Sequence, residues 1–120
     1  MTNSPNQVDE QIPEALMEKL RATARLQDVT YYSDIAPLLG IDIGNEYFGA
    51  LVGRVLDRVN RREFAENRPL LSAVVVSKET GSPGRGYYGC AKDIRRHTGK
   101  SDEAAWLDEL KSVYSYWAKH

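Results

Sequence analysis

The sequence predicts an α+β domain that is mostly helical, with one β-hairpin and a C-terminal helix. Three observations predict it. Phe48, Leu51, Val52, Val55, Leu56 and Val59 recur at helical spacing, the strongest periodicity in the chain. Leu70 to Val76 is rich in β-branched residues, too short for a core helix, and followed by the turn-rich stretch Lys78 to Gly84. Trp106, Leu110, Val113, Tyr114 and Trp117 then form an aromatic stripe at helical spacing. With 120 residues, 42% of them hydrophobic, the chain has the size and apolar content of one domain.

Residues 1–11 are polar and read as a disordered tail, so that the folded domain is 12–120. Pro13 suits a first helical position, and Glu14 and Glu18 suit the positive end of the helix dipole. Leu16, Leu20 and Ala24 share a face, which predicts a first helix from about Pro13 to Gln27. Asp28 to Thr30 breaks it, and Thr30 or Ser33 can cap the next. Ile35, Leu38 and Leu39 give that helix an apolar side, Pro37 keeps it short, and Gly40 suits its C-terminal stop. Asn45 is placed to cap the long helix, whose Gly49 and Gly53, one turn apart, leave room for another backbone. That helix is expected to end between Asn60 and Phe64, and Pro69 keeps Arg68 out of helix. Leu70 to Val76 is the first hairpin strand and Arg85 to Tyr88 its return. A helix through Ala91 and Ile94 follows, up to His97. Ser101 caps the last helix, with Asp102 and Glu103 in its first turn. Its aromatic stripe reads as core, with a homodimer face as the alternative.

Composition narrows the function. No apolar run approaches the roughly 20 residues of a membrane span, and the N-terminus lacks a signal-peptide pattern. The expectation is a cytoplasmic protein with no membrane partner. One cysteine, Cys90, allows no internal disulfide. With only two histidines, His97 and His120, no zinc site is expected. Cys90 reads as a small apolar residue rather than a nucleophile. Neither a cofactor nor a catalytic residue is called.

The net charge is −1, but its distribution is uneven. Residues 1–51 hold three basic and eight acidic residues, and residues 52–97 hold ten and five. A basic middle between acidic ends can mark one face for an anionic partner. Helix, short helix, long amphipathic helix and hairpin is the order of a winged helix-turn-helix, whose long helix lies in the major groove with the hairpin along the backbone. Arg54, Arg58, Arg61 and Arg62 are spaced toward an outward side of the long helix, and Lys78 and Arg85 fall on the wing. These six are the candidate contacts to double-stranded DNA, since arginine holds phosphate oxygens or guanine edges through paired hydrogen bonds. The alternative is an exposed face neutralised by Asp57, Glu63 and Glu66, or a surface for a protein partner such as a toxin, a nuclease or a bacterial defence subunit.

Tyr32-Ser33-Asp34-Ile35-Ala36-Pro37-Leu38-Leu39-Gly40 resembles the Tyr-Gly-Glu-Leu-Ala-x-x-Leu-Gly stretch of the C-terminal domain of DNA-repair alkyltransferases and alkyltransferase-like proteins. Val52-Gly53-Arg54-Val55-Leu56 resembles that family's Val-Gly-x-Ala-Leu, and Leu70 to Gly89 its following strand and glycine-rich loop. The resemblance runs from about Thr30 to Ile94 and implies a DNA-binding helix-turn-helix scaffold. It departs where the family's chemistry sits. The Pro-Cys-His-Arg run falls on Leu71, Ser72, Ala73 and Val74, so serine replaces the nucleophile and alanine its histidine. A serine without a base is not activated. The arginine that the family pushes into the base stack falls at Ala50. Gly81 to Gly86 lacks the Lys-Ser/Thr of a phosphate loop. The reading is therefore a non-enzymatic, regulatory nucleic-acid-binding protein.

Overall fold

The structure, a computed structural model, describes residues 11–120. The tail expected over 1–11 lies, apart from Gln11, outside the described residues. The first helix, α1, spans Glu14–Arg25 with Pro13 just before it, and buries Leu16, Met17, Leu20, Thr23 and Ala24 along one stripe. A two-residue strand β1, Thr30–Tyr31, leads directly into α2, Tyr32–Ile35, and a 3-10 turn over Ala36–Leu39. Gly40 stops that turn in the left-handed region at φ 69°, the role its position predicted. The long helix α3 runs Phe48–Ala65. A second 3-10 turn, Leu71–Val74, precedes strand β2, Val75–Val76. Helix α4 follows over Arg85–Asp93, and α5 over Asp102–Lys119.

The fold is thus mostly helical with a small sheet, as the sequence predicted at the coarse level. The hairpin is not formed. β2 pairs with β1, in parallel, in the register Thr30 with Val75 and Tyr31 with Val76. The expected return strand, Arg85 to Tyr88, is the first turn of α4. Tyr87, Cys90 and Ala91 are buried at helical spacing on it, so burial follows a period near 3.6 rather than 2. The expected caps also shift. Thr30 belongs to β1, and neither α2 nor α3 has a side-chain cap. Asn45 instead closes the turn before α3, where its Oδ1 accepts from the Tyr47 N–H at 2.8 Å. Ser101 caps α5 as predicted, accepting from the Ala104 N–H at 3.2 Å.

Leu70 to Val76 is the centre of the molecule. Every residue in it is buried, and α1, α3 and α5 all pack on its 3-10 turn. An irregular buried segment cannot satisfy its own backbone, so side chains must do it. Glu109 of α5 accepts the Leu70 N–H at 2.7 Å. Asn60 of α3 accepts the Ser72 N–H at 3.2 Å. The Trp106 indole N–H donates to the Ala73 carbonyl at 2.9 Å. The aromatic stripe of α5 is spent in the same way, since Trp106, Val113 and Trp117 are buried against this core.

Candidate functional site

A cleft of about 900 Å3 opens between the first half of α3, the turn after β2 and the start of α4. Its buried lining is Leu56, Asn60, Ser72 and Tyr87. Gly49, Ala50 and Gly53 line the α3 side and leave it wide, because a Cβ added at Gly49 or Gly53 would meet nothing within 4 Å. The two glycines do not admit another backbone, contrary to the expectation from their spacing. The far wall is made by Tyr32, whose hydroxyl oxygen accepts the Gly84 N–H at 2.8 Å and so ties α2 to the start of α4. Burial raises the Tyr32 pKa, leaving the phenol neutral and able to donate its own hydrogen.

The turn from Ser77 to Gly84 is held by its own hydrogen bonds. Ser77 donates its N–H to the Ser82 carbonyl at 2.9 Å, and Gly81, at φ 73°, donates to the Ser77 carbonyl at 2.8 Å. This closed turn delivers the chain to α4, which starts without a side-chain cap. The first N–H groups of α4 therefore carry the positive end of its dipole at the mouth of the cleft.

The six predicted cations separate into three groups. Arg54, Lys78 and Arg85 come together as exposed residues lining the cleft, from three different elements. Lys78 also stands over the Tyr31 ring, 5.4 Å from its centroid. Arg61 is engaged elsewhere, with its Nε 2.9 Å from Asp57 and its Nη2 2.8 Å from Asp93. It clamps α3 to α4. Burial pushes the Asp57 carboxyl up, but the hydrogen bonds from Arg61 and Cys90 and the charges of Arg61 and Arg58 together outweigh it, and the net shift is downward. Arg58 is half-buried, and its charge bears on the same Asp57. Arg62 lies away from the cleft, in a groove with Arg21, Arg25 and Arg68. The anticipated neutralising acids are used in part: Asp57 takes Arg61, whereas Glu63 and Glu66 take Arg68.

Ser72 lines the cleft from the 3-10 turn, where its backbone N–H donates to Asn60 and its carbonyl accepts the Val75 N–H. Cys90 is buried behind it on α4. Burial and the neighbouring Asp57 carboxylate push its thiol up to about 12, which makes it unreactive at neutral pH. Among the described residues no group of three or more His, Cys, Asp or Glu side chains is arranged to hold a metal ion.

Sequence reasoning missed two parts of this site. In the sequence Tyr32 stands out only as part of the Tyr-x-x-x-Ala-x-x-Leu-Gly resemblance, and its tie to Gly84 spans 52 positions, which no local pattern reveals. The open N-terminus of α4 was hidden by reading Arg85 to Tyr88 as a strand. The spacing of Tyr87, Cys90, Ala91 and Ile94 was the signal that could have found it. Comparison with protein-family models, curated proteins and solved structures finds no match for this chain.

Proposed function

We propose that this protein binds double-stranded DNA without acting on it chemically. In this reading α2 with its 3-10 turn and α3 form the helix-turn-helix. The turn after β2 and the start of α4 take the flanking place expected of a wing. One observation carries the proposal. Three cations from separate elements, Arg54, Lys78 and Arg85, meet the uncapped start of α4 beside the exposed first turns of α3. Arginine and lysine side chains at a helix N-terminus suit phosphate oxygens, by charge and by N–H direction. The small residues Gly49, Ala50 and Gly53 let a groove wall approach α3 closely. The test is binding to a random-sequence duplex at low salt. The double variant Arg54→Ala, Arg85→Ala should weaken it about tenfold or more, as two lost phosphate contacts would, and Arg61→Ala should change it far less because Arg61 is tied to Asp57 and Asp93.

A second reading rests on the segment before α3. Ile43 and Tyr47 are 55% and 63% exposed, and Asp42 and Glu46 stand beside them in sequence. Exposed apolar side chains among acids suit a protein partner better than a phosphate backbone. Substituting Ile43→Ser and Tyr47→Ser separates the two, since protein binding would be lost and DNA binding largely kept.

A further inference from the structure

The arginine left over by the cleft marks a second place on the molecule. A groove of about 610 Å3 lies where α1, the end of α3 and the end of α5 meet, within the size range of small-molecule sites. Four guanidinium groups line it, and Glu66 is the one carboxylate that does. Arg21 and Arg25, one turn apart on α1, both stand over the Trp117 ring, at 5.9 and 5.3 Å from its centroid. Arg68 is fixed by two hydrogen bonds to the fully buried Glu63, 3.0 Å from Nε and 2.9 Å from Nη2. Its remaining nitrogen, Nη1, is 3.8 Å from Glu66, beyond a hydrogen bond. Arg62 is exposed and has no ion-pair partner among the described residues.

Like charges gathered on one groove repel, and the repulsion is relieved by an anion between them. Each guanidinium carries five N–H donors in a planar fork that matches phosphate oxygens. Arg21 gives one to Glu14 at 3.0 Å, Arg25 one to the His120 carbonyl at 3.2 Å and Arg68 two to Glu63, which leaves most donors of the four without a partner among the described residues. Three of the arginines are held in place, Arg21 and Arg25 over the Trp117 ring and Arg68 against the buried Glu63, so little side-chain freedom is lost on binding. We propose that this groove is an anion site, separate from the cleft, for a ligand carrying a diphosphate group. Two arginines from α1 would take one phosphoryl group, and Arg62 with Arg68 the other.

The test is calorimetric titration of the whole protein with pyrophosphate at low ionic strength, with Trp117 emission as a second readout in a Trp106→Phe background. Saturable one-to-one binding is expected. Arg62→Ala and Arg25→Gln should each weaken it about tenfold, the worth of a charge-assisted hydrogen bond, while Arg54→Ala should leave it unchanged. The Arg62 side chain is exposed and makes no hydrogen bond or ion pair among the described residues, so its variant keeps the fold. A nucleoside diphosphate binding tighter than pyrophosphate would identify a nucleotide as the source of the phosphates, and equal affinity would assign recognition to the diphosphate alone. Absence of saturation, or unchanged affinity in Arg62→Ala, would overturn the proposal. Neither result depends on the DNA reading, which is probed at Arg54 and Arg85.

Discussion

Glu63 is a fully buried carboxylate in a chain of this size, and it survives there because Arg68 meets it with two parallel hydrogen bonds. The pair closes the exit of α3, where Arg68 also donates its backbone N–H to the Glu63 carbonyl at 2.9 Å. Removing one partner leaves a buried charge uncompensated. Arg68→Ala should therefore cost about 3 kcal/mol, read as a lowered midpoint in urea with an unchanged slope. Cys90 makes a different statement. Its thiol is raised from an ordinary value of 9.0 to about 12 by burial and the Asp57 carboxylate. A group with a raised folded pKa contributes stability that is fully present below the unfolded value and lost as pH rises toward the folded one. Tyr32 and Tyr87 are also raised, each by burial first. Stability should thus be flat through neutral pH and fall between about pH 9 and about pH 12, and denaturation midpoints measured across that range would show it. A midpoint unaffected by alkali would contradict the burial of these groups. At neutral pH a thiol reagent should label Cys90 only after unfolding.

At the scale of elements, the links between helices are single polar contacts that can be cut one at a time. Tyr32→Phe removes the acceptor for the Gly84 N–H and should cost about 1 kcal/mol. The loss should appear as faster amide exchange at the start of α4 while α1 and α5 stay protected. Gly53 lies inside α3 with open space where a Cβ would go. Gly53→Ala should therefore raise stability by roughly 0.5–1 kcal/mol, and weaker duplex binding by the same variant would tie the glycine to the cleft. The helices themselves were legible in the sequence. α1, α3 and α5 each bury a long periodic stripe, and the signals at Gly40 and Ser101 act where they were read. The sheet was not legible. β1 has two residues, no periodicity of its own, and a partner 45 positions away in the chain. Leu70 to Val76 reads as a hairpin strand, since its valines and leucines announce burial and not the 3-10 geometry whose backbone Asn60, Glu109 and Trp106 satisfy.

Over the whole molecule, charge is sorted by place more than by amount. The basic middle of the sequence supplies two separate surfaces, the cleft with Arg54, Lys78 and Arg85 and the groove with Arg62 and Arg68. Sequence spacing puts Arg54, Arg58, Arg61 and Arg62 on one side of α3, whereas in the structure Arg54 lines the cleft, Arg61 holds Asp57 and Asp93, and Arg62 lines the groove. Helical phase orders side chains around an axis, but what they face is decided by α1, α4 and α5, which no spacing on α3 can reveal. The acidic first third, from Asp9 to Glu46, keeps the net charge near zero and should make any duplex binding weak and steeply dependent on salt. That dependence is the most direct test of the proposed function. Affinity for a random duplex should fall linearly in log K against log salt with a slope of about −3, the number expected for roughly three phosphate contacts. In the Arg54→Ala, Arg85→Ala variant the slope should shrink to about −1. No binding at about 50 mM salt, or the same slope in the variant as in the native chain, would contradict a DNA interface at this cleft.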